Sequence, residues 1–172
     1  LRDKPDSAAK VVETARSMVH HYKAEARRVI WDLRSNEPEL PPLEQALQHS
    51  IAEMTANASV ISNVEVTGEP IALPGELAQN VLRICQEAVT NALQHGAPSR
   101  ISVRLRFGKD KLEAAVEDDG KGFDLSTIPN GHFGLAIVRE RARRFGGDIE
   151  VVTAAGRGTT LTASIPYPAG NA

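Results

Sequence analysis

Hydrophobic positions in the first 40 residues form one long stripe. Apolar side chains recur at alternating steps of three and four residues from about 7 to 35, which predicts a single helix with coiled-coil spacing. The stripe is formed by Val12, Ala15, Val19, Tyr22, Ala26, Val29 and Leu33. Such a helix must bury its stripe, either against the domain that follows or in a bundle completed by an upstream helix and a second subunit. Prolines at 38, 41 and 42 then indicate a short, stiff linker.

Beyond residue 40 the pattern alternates between helical and strand-like spacing. Helices are predicted where apolar residues recur every three to four positions, over about 43–57, 75–95 and 134–145. Strands are predicted where apolar and polar residues alternate, over about 60–67, 101–107, 112–116, 148–153 and 159–165. Gly108-Lys109-Asp110 predicts a tight hairpin between the second and third strands.

This order of elements predicts an α+β fold. We expect a two-layer α/β sandwich with helices on one face of a mixed, mostly antiparallel sheet, preceded by the one long coiled-coil-like helix. The chain would then have two parts, residues 1–40 with the helix and linker and residues 41–172 with the compact domain.

Composition excludes several classes of protein without changing this picture. A content of 41% hydrophobic and 24% charged residues is ordinary for a globular domain. The formal net charge of -2 gives no reason to expect nucleic acid or an anionic membrane surface as a partner. The single cysteine, Cys85, excludes an internal disulfide and fits a reducing, cytoplasmic compartment. Because the chain begins at Leu1 rather than Met, we expect it to be a piece of a longer protein, with membrane or sensory segments that could lie upstream.

Two polar residues stand out in the helix predicted over 75–95. Glu87 and Asn91 are four residues apart and therefore share a face, at the edge of the apolar stripe. Their oxygen atoms could hold a hard cation such as Mg²⁺, which takes one or two protein ligands together with phosphate oxygens and water. Taken alone, such a pair is more often the ordinary polar edge of an amphipathic helix.

Three glycine motifs follow, each at the end of a predicted element. Asp118-x-Gly120-x-Gly122 comes directly after a strand, where its glycines permit a close backbone approach and its carboxylate could accept a hydrogen bond from an amino group such as that of adenine. Gly131-His132-Phe133-Gly134-Leu135 opens a helix, where free backbone amides favour phosphate. Gly156-x-Gly158-Thr159 is a turn that leads into the last strand. Each of these motifs alone could be a plain turn.

All four motifs together, in this order, resemble the ATPase domain of the GHKL superfamily. That group comprises DNA gyrase, the heat-shock-protein-90 chaperones, histidine kinases and the mismatch-repair ATPases, and the resemblance covers about residues 43–166. The segments 83–92, 118–123 and 134–141, and the short loop from about 123 to 133, are similar to those of sensor histidine kinases in the subfamily of the nitrate sensors and the membrane-fluidity thermosensor. The N-terminal helix resembles the second helix of that subfamily's dimerisation and phosphotransfer module.

The resemblance implies a Bergerat-type fold that binds ATP and Mg²⁺ and transfers the γ-phosphoryl group to a histidine. It also implies a homodimer formed through the upstream bundle and a response regulator as the signalling partner. Glu87 and Asn91 are the implied catalytic residues, with Asn91 as the metal ligand. The implied nucleotide-binding residues are His95, Asp118, Gly120, Gly122, Gly131, Gly134, Leu135 and Thr159. In this scheme Asp118 accepts the adenine amino group with support from Thr159, and Asp119 is only a solvated neighbour.

Two features depart from the family pattern. The phosphoacceptor would be a histidine followed by an acidic residue, and His20, His21, His49 and His132 all lack that neighbour, so autophosphorylation of this chain is not expected. The family usually has Lys-His-Ala where this chain has Gln94-His95-Gly96, so one positive charge is missing near the phosphates. Phosphate neutralisation would then fall to Mg²⁺, His95 and either Arg139 or Arg141.

Two alternative functions remain open at this point. One is an ATPase of the same fold, in which Glu87 would activate water for hydrolysis. The other is a degenerate, non-catalytic module of the same fold that only dimerises or docks a partner, an alternative to which the missing lysine gives weight.

Overall fold

A computed structural model describes residues 41–125 and 133–167 of the chain. The predicted N-terminal helix and linker lie outside these residues, as do Gly131 and His132. The described elements are, in chain order, α1 (Leu43–Thr55), β1 (Ile61–Gly68), α2 (Gly75–Asn91), a π-helical turn (Ala92–Gly96), β2 (Arg100–Phe107), β3 (Lys111–Asp118), α3 (Phe133–Arg144), β4 (Asp148–Thr153) and β5 (Thr159–Pro166).

The strands form one five-stranded sheet in the order β1-β2-β3-β5-β4. β1 and β2 are parallel, and every other neighbouring pair is antiparallel. The predicted mixed, mostly antiparallel sheet is therefore confirmed, including the hairpin, in which the Gly108 amide donates to the Lys111 carbonyl at 3.0 Å.

Alternation along the strands decides which face of the sheet is covered. On β2 the side chains of Ile101, Val103 and Leu105 are fully buried, while the residues between them are half-buried or exposed. β3 and β5 repeat the pattern, so one face of the sheet is apolar and carries the helices. The other face carries charged and hydroxyl side chains, such as the exposed ion pair between Arg104 and Glu117. This is the two-layer arrangement that the pattern predicts.

Helix α2 supplies the helical side of the core. Its buried apolar side chains recur at steps of three and four, and they are Leu77, Val81, Ile84, Cys85, Ala88 and Val89. Each fully buried aliphatic side chain of this size contributes roughly 1.5–3 kcal/mol relative to an exposed one. Because this stripe faces the sheet, Glu87 and Asn91 lie half-buried at its edge, as a helical period requires.

A buried polar contact fixes α3 against α2. Asn80 is 6% exposed, and its carboxamide donates a hydrogen bond of 2.9 Å to the backbone carbonyl of Arg141. This bond fixes the C-terminal half of α3 against α2. The side chains of Val138 and Ala142, on the inner face of α3, pack into the core. The first turn of α3 is thereby directed toward the C-terminal end of α2.

Candidate functional site

The predicted site residues of the sheet meet at one end of it. Asp118 is the last residue of β3 and pairs with Thr159, the first residue of β5. Thr153, the last residue of β4, pairs with Thr159 from the other side. Antiparallel pairing therefore places one carboxylate and two threonines side by side at this end, which we call the glycine end because Gly120, Gly122 and Gly158 surround it.

Asp118 is a buried carboxylate at the glycine end. It is 8% exposed, and its Oδ1 accepts a hydrogen bond of 2.9 Å from the Gly120 amide. Burial raises the pKa of the Asp118 carboxyl above its usual value, while hydrogen bonds from Gly120 and Thr159 oppose that rise. A carboxylate in such surroundings has strong acceptor capacity left for a ligand that brings its own N–H group.

Two close backbone approaches form the wall around this carboxylate. A Cβ atom on Gly120 would lie 2.5 Å from the Gly96 carbonyl oxygen and 2.8 Å from Asp118 Oδ1, so only glycine fits. The Lys121 amide donates to the same Gly96 carbonyl at 2.8 Å. Gly96 therefore belongs to the site although sequence reasoning did not assign it a role. Gly122 continues the turn with φ +54°, next to the carbonyls of Ala154 and Gly158.

Helix α2 ends with a change of helical type next to the site. The helix predicted to about residue 95 is α-helical only to Asn91, and Ala92–Gly96 form a π-helical turn that ends at Ala97 with a left-handed φ of 48°. Single π turns are frequent at functional sites. His95 lies exposed in this turn.

The first turn of α3 lies directly on the polar edge of α2. A Cβ atom on Gly134 would be 3.1 Å from Asn91 Nδ2, 3.2 Å from Asn91 Oδ1 and 3.3 Å from Glu87 Oε1. The absence of a side chain at Gly134 thus allows the helix backbone to approach both polar groups. Amides of the first helical turn, at Gly134 and Leu135, carry partial positive charge and favour an anion.

The pair of Glu87 and Asn91 fits Mg²⁺ better than a transition metal. Its possible ligands are a carboxylate and an amide oxygen, which are hard donors. Within the described residues no group of three or more His, Cys, Asp or Glu side chains could hold a metal ion by itself. A cation at Glu87 and Asn91 would therefore need further oxygen ligands, such as phosphate and water.

Arg139, one of the two arginines considered for phosphate neutralisation, has a partner elsewhere in the structure. Arg139 lies with its Nε atom 3.5 Å from Asp148 Oδ1, and Arg143 approaches the same carboxylate at 3.5 Å. Asp148 begins β4, at the end of the sheet opposite the glycine end. The Arg139 side chain thus pairs with a residue at the far end of the sheet, and its role toward phosphate stays a prediction.

Asp119 has a larger structural part than the sequence suggested. Its carboxylate accepts hydrogen bonds from the Ser99 amide at 2.8 Å, the Ser99 hydroxyl at 2.7 Å and the Arg100 amide at 2.7 Å. The hydrogen bond from Arg100, followed by that from the Ser99 side chain, holds the pKa of the Asp119 carboxyl below its usual value. The expectation that Asp119 is only a solvated neighbour is wrong, because this exposed side chain ties the start of β2 to the end of β3.

Thr153 is the second residue that sequence reasoning missed. Its hydroxyl accepts a hydrogen bond from the Phe123 amide at 3.1 Å, donates to the Gly158 carbonyl at 2.9 Å and lies 3.2 Å from Thr159 Oγ1. The sequence offers little to identify Thr153 as a site residue, since a threonine before a glycine turn is common. Only the strand register shows that it lies beside Thr159.

Comparison with known proteins agrees with this geometry. Residues 76–169 match the family described as histidine kinase-, DNA gyrase B- and HSP90-like ATPase. The chain is 30% identical over 161 residues to the signal transduction histidine-protein kinase/phosphatase DegS of Brevibacillus brevis, covering 94% of this chain and 42% of the relative. It is 28% identical over 147 residues to the nitrate/nitrite sensor protein NarX of Escherichia coli K12, covering 86% of this chain and 24% of the relative.

A solved structure of similar fold is the blue-light activated histidine kinase EL346 of Erythrobacter litoralis. The two share 29% sequence identity with a TM-score of 0.61, over 73% of this chain and 42% of that one. The chain thus spans less than half the length of these relatives. In residues 41–125 and 133–167, no helix has the length and apolar character that crossing a membrane requires.

The family match, the buried aspartate at the glycine end and the meeting of α2 with α3 all agree with the resemblance seen in the four motifs. The chain belongs to the family of histidine kinase-, DNA gyrase B- and HSP90-like ATPases, and within that family its relatives are sensor histidine kinases.

Proposed function

We propose that this chain is the ATP-binding kinase part of a two-component sensor histidine kinase. It would transfer the γ-phosphoryl group of ATP to a histidine outside this chain, and from there the signal would pass to a response regulator. The observation that carries the proposal is the close approach of α3 at Gly134 to both Glu87 and Asn91, which leaves little room for even a Cβ atom. This approach brings an anion-binding helix end together with the oxygen ligands of a hard cation.

The adenine end of the proposed site is the glycine end of the sheet. Asp118 would accept a hydrogen bond from the adenine amino group, and Thr159 would support that contact from the neighbouring strand. Gly120 and Gly122 would let the base lie close to the backbone, since any side chain on Gly120 would collide with Gly96 and Asp118. We expect the site to prefer adenine over bases that lack an amino group at this position, because such bases would leave the buried Asp118 carboxylate without a hydrogen-bond donor.

The phosphate end of the proposed site lies between α2 and α3. Asn91, helped by Glu87, would hold Mg²⁺, which when bound neutralises part of the phosphate charge. The amides of Gly134 and Leu135 would face phosphate, Gly131 would flank the loop before them, and His95 would add a donor from the π-helical turn. Phosphoryl transfer depends mainly on such positioning and charge neutralisation, so no covalent step on this chain is required.

The remaining parts of the proposal concern the longer protein. Residues 1–40 would be the second helix of a dimerisation and phosphotransfer module, and the acceptor histidine would lie in the helix that precedes it. A homodimer would form through that bundle. Because the reaction consumes ATP and serves a response regulator, this part of the protein would work in the cytoplasm.

The proposal is tested by calorimetric titration of the chain with a non-hydrolysable ATP analogue and Mg²⁺. We expect saturable binding that Asp118→Asn weakens by at least about tenfold, the effect of one lost charged hydrogen bond. Glu150→Gln serves as the matched control, because Glu150 is an exposed carboxylate on β4. No binding by the unmodified chain would contradict the proposal and favour the degenerate docking module.

Labelling with γ-labelled ATP tests the kinase reaction itself. The chain alone should gain no acid-labile phosphate, and a separate protein that supplies the upstream histidine helix should become labelled when the chain is added. Stable acid-labile label on this chain would contradict the assignment of the acceptor. Steady phosphate release that Glu87→Gln abolishes would instead favour the ATPase alternative.

A further inference from the structure

A single hydroxyl joins three chain segments at the glycine end. Thr153 is half-buried at the end of β4, and its Oγ1 contacts the Phe123 amide, the Gly158 carbonyl and the Thr159 hydroxyl within 3.2 Å. We propose that Thr153 is a positioning residue for adenine recognition, which orients Thr159 toward Asp118. This inference rests on the nucleotide site proposed above and adds a residue that determines its selectivity.

The hydrogen-bonding capacity of Thr153 is fully used by these contacts. A hydroxyl has one proton and two acceptor lone pairs. The proton goes to the Gly158 carbonyl at 2.9 Å, and the lone pairs face the Phe123 amide at 3.1 Å and the Thr159 hydroxyl at 3.2 Å. The three hydrogen bonds fix the position of Thr153 Oγ1, and through them Thr153 restrains Phe123, Gly158 and Thr159.

The partners of Thr153 are the two segments that border Asp118. Gly158 and Thr159 begin β5 directly across from Asp118, and Phe123 follows the turn that starts after it. The Thr159 backbone amide donates a hydrogen bond to the Asp118 carboxylate and lowers its pKa. The single proton of the Thr159 hydroxyl is shared between Thr153 Oγ1 and that carboxylate, and this contact also lowers the pKa. A continuous line of hydrogen bonds therefore runs from the Phe123 amide through Thr153 and Thr159 to Asp118.

Removing the Thr153 hydroxyl would break this series of hydrogen bonds between Phe123 and Thr159. A valine has the same shape but leaves the Phe123 amide and the Gly158 carbonyl without this partner, and it frees the Thr159 hydroxyl to rotate. The polar atoms around the adenine would then be less well oriented, while Glu87, Asn91 and the start of α3 would keep their arrangement. The effect is expected on the base and not on the phosphates.

The experiment compares Thr153→Val, Thr153→Ser and the control Thr162→Val in the full 172-residue chain. Thr162 is a half-buried threonine of the neighbouring strand β5, in the face of the sheet away from the helices. Affinities for non-hydrolysable ATP and GTP analogues are measured by calorimetry. For Thr153→Val we expect the ratio of ATP-analogue to GTP-analogue affinity to fall about tenfold. Thr153→Ser should stay within about threefold of the unmodified chain, and Thr162→Val should not differ from it.

The outcomes separate this inference from the proposal on which it rests. A purely structural role for Thr153 would lower both affinities together and leave their ratio unchanged, which would overturn the inference. Failure of Thr153→Ser to restore the ratio would also overturn it. If Thr153→Val does not fold, Thr153→Ala is measured in its place. Absence of ATP-analogue binding by the unmodified chain would instead overturn the nucleotide site itself.

Discussion

The carboxamide of Asn80 in α2 caps the carbonyl of Arg141 in α3 at a distance of 2.9 Å. Carbonyls of the last helical turn lack the next turn of helix as a donor, and this half-buried bond from α2 supplies one of them with a donor. Through it, the middle of α2 fixes the helix whose first turn approaches Glu87 and Asn91.

Asn80→Ala should destabilise the protein because it removes the half-buried hydrogen bond to the Arg141 carbonyl. The expected loss in the free energy of unfolding is about 1–3 kcal/mol. Urea unfolding monitored by circular dichroism measures it. Gln79→Ala is the matched control, because Gln79 is the half-buried neighbour on the same helix, and equal losses in the two variants would contradict the capping role.

Gly134→Ala should impair nucleotide binding more than folding. The added Cβ would lie 3.1–3.3 Å from Asn91 and Glu87, so these side chains or the first turn of α3 must shift by a few tenths of an ångström. We expect about tenfold weaker binding of the ATP analogue, whereas alanine's higher helix propensity should keep the melting temperature close to that of the unmodified chain.

The control for this variant is Gly75→Ala at the start of α2. A Cβ on Gly75 has no neighbour within 4 Å. Both substitutions are therefore the same chemical change in the first turn of a helix. Equal ATP-analogue affinity in the two variants would show that the approach of Gly134 to Asn91 and Glu87 has no part in binding.

Asn91→Ala should remove the magnesium dependence of nucleotide binding. With Mg²⁺ present, the unmodified chain should bind the ATP analogue about tenfold or more tightly than the variant, and with a chelator the two affinities should be similar. Adenosine affinity, which needs no phosphate contact, should be the same in both. A variant that keeps the full effect of Mg²⁺ would contradict the role of Asn91 as ligand.

The raised pKa of Asp118 predicts a stability that falls as pH rises through its titration. A carboxyl whose pKa is higher in the folded than in the unfolded state binds more protons when folded, so raising pH above the usual value of 3.8 disfavours the folded state. Asp118→Asn should therefore be at least as stable as the unmodified chain at pH 7. The difference should shrink toward pH 3.8, as measured by urea unfolding at several pH values. A less stable variant at pH 7 would contradict this assignment.

Asp119 should behave in the opposite way although it is the adjacent residue. Its pKa is lowered by hydrogen bonds from Arg100 and Ser99, so its contribution to stability is present above pH 3.8 and is lost as pH falls through the folded-state pKa. Asp119→Asn should be less stable than the unmodified chain at pH 7, and the two should converge in acid. The same pH series measures this, and equal stability at pH 7 would contradict the role of Asp119 in holding Ser99 and Arg100.

Much of the fold could be predicted because burial has a local period. The stripe on α2 and the alternation on β2 each follow from neighbouring positions in the chain. The structure buries Val81 and Cys85 on the predicted helix and Val103 on the predicted strand. The end of α2 could not be predicted in the same way. Its change to a π-helical turn at Ala92–Gly96 accompanies contacts of Gly96 with Gly120 and Lys121, which are distant in the chain.

The sequence by itself determined the α+β class, the order of the elements and the four motifs that resemble an ATP site, because hydrophobic period and glycine spacing are properties of short segments. Only the tertiary structure decided which polar groups meet. It joined Thr153 to Thr159, gave Asp119 its partners on Ser99, and paired Arg139 with Asp148. These contacts depend on strand register and on the rotation of helices about their axes. A shift of the register by one residue, or a rotation of a helix, would bring different side chains together.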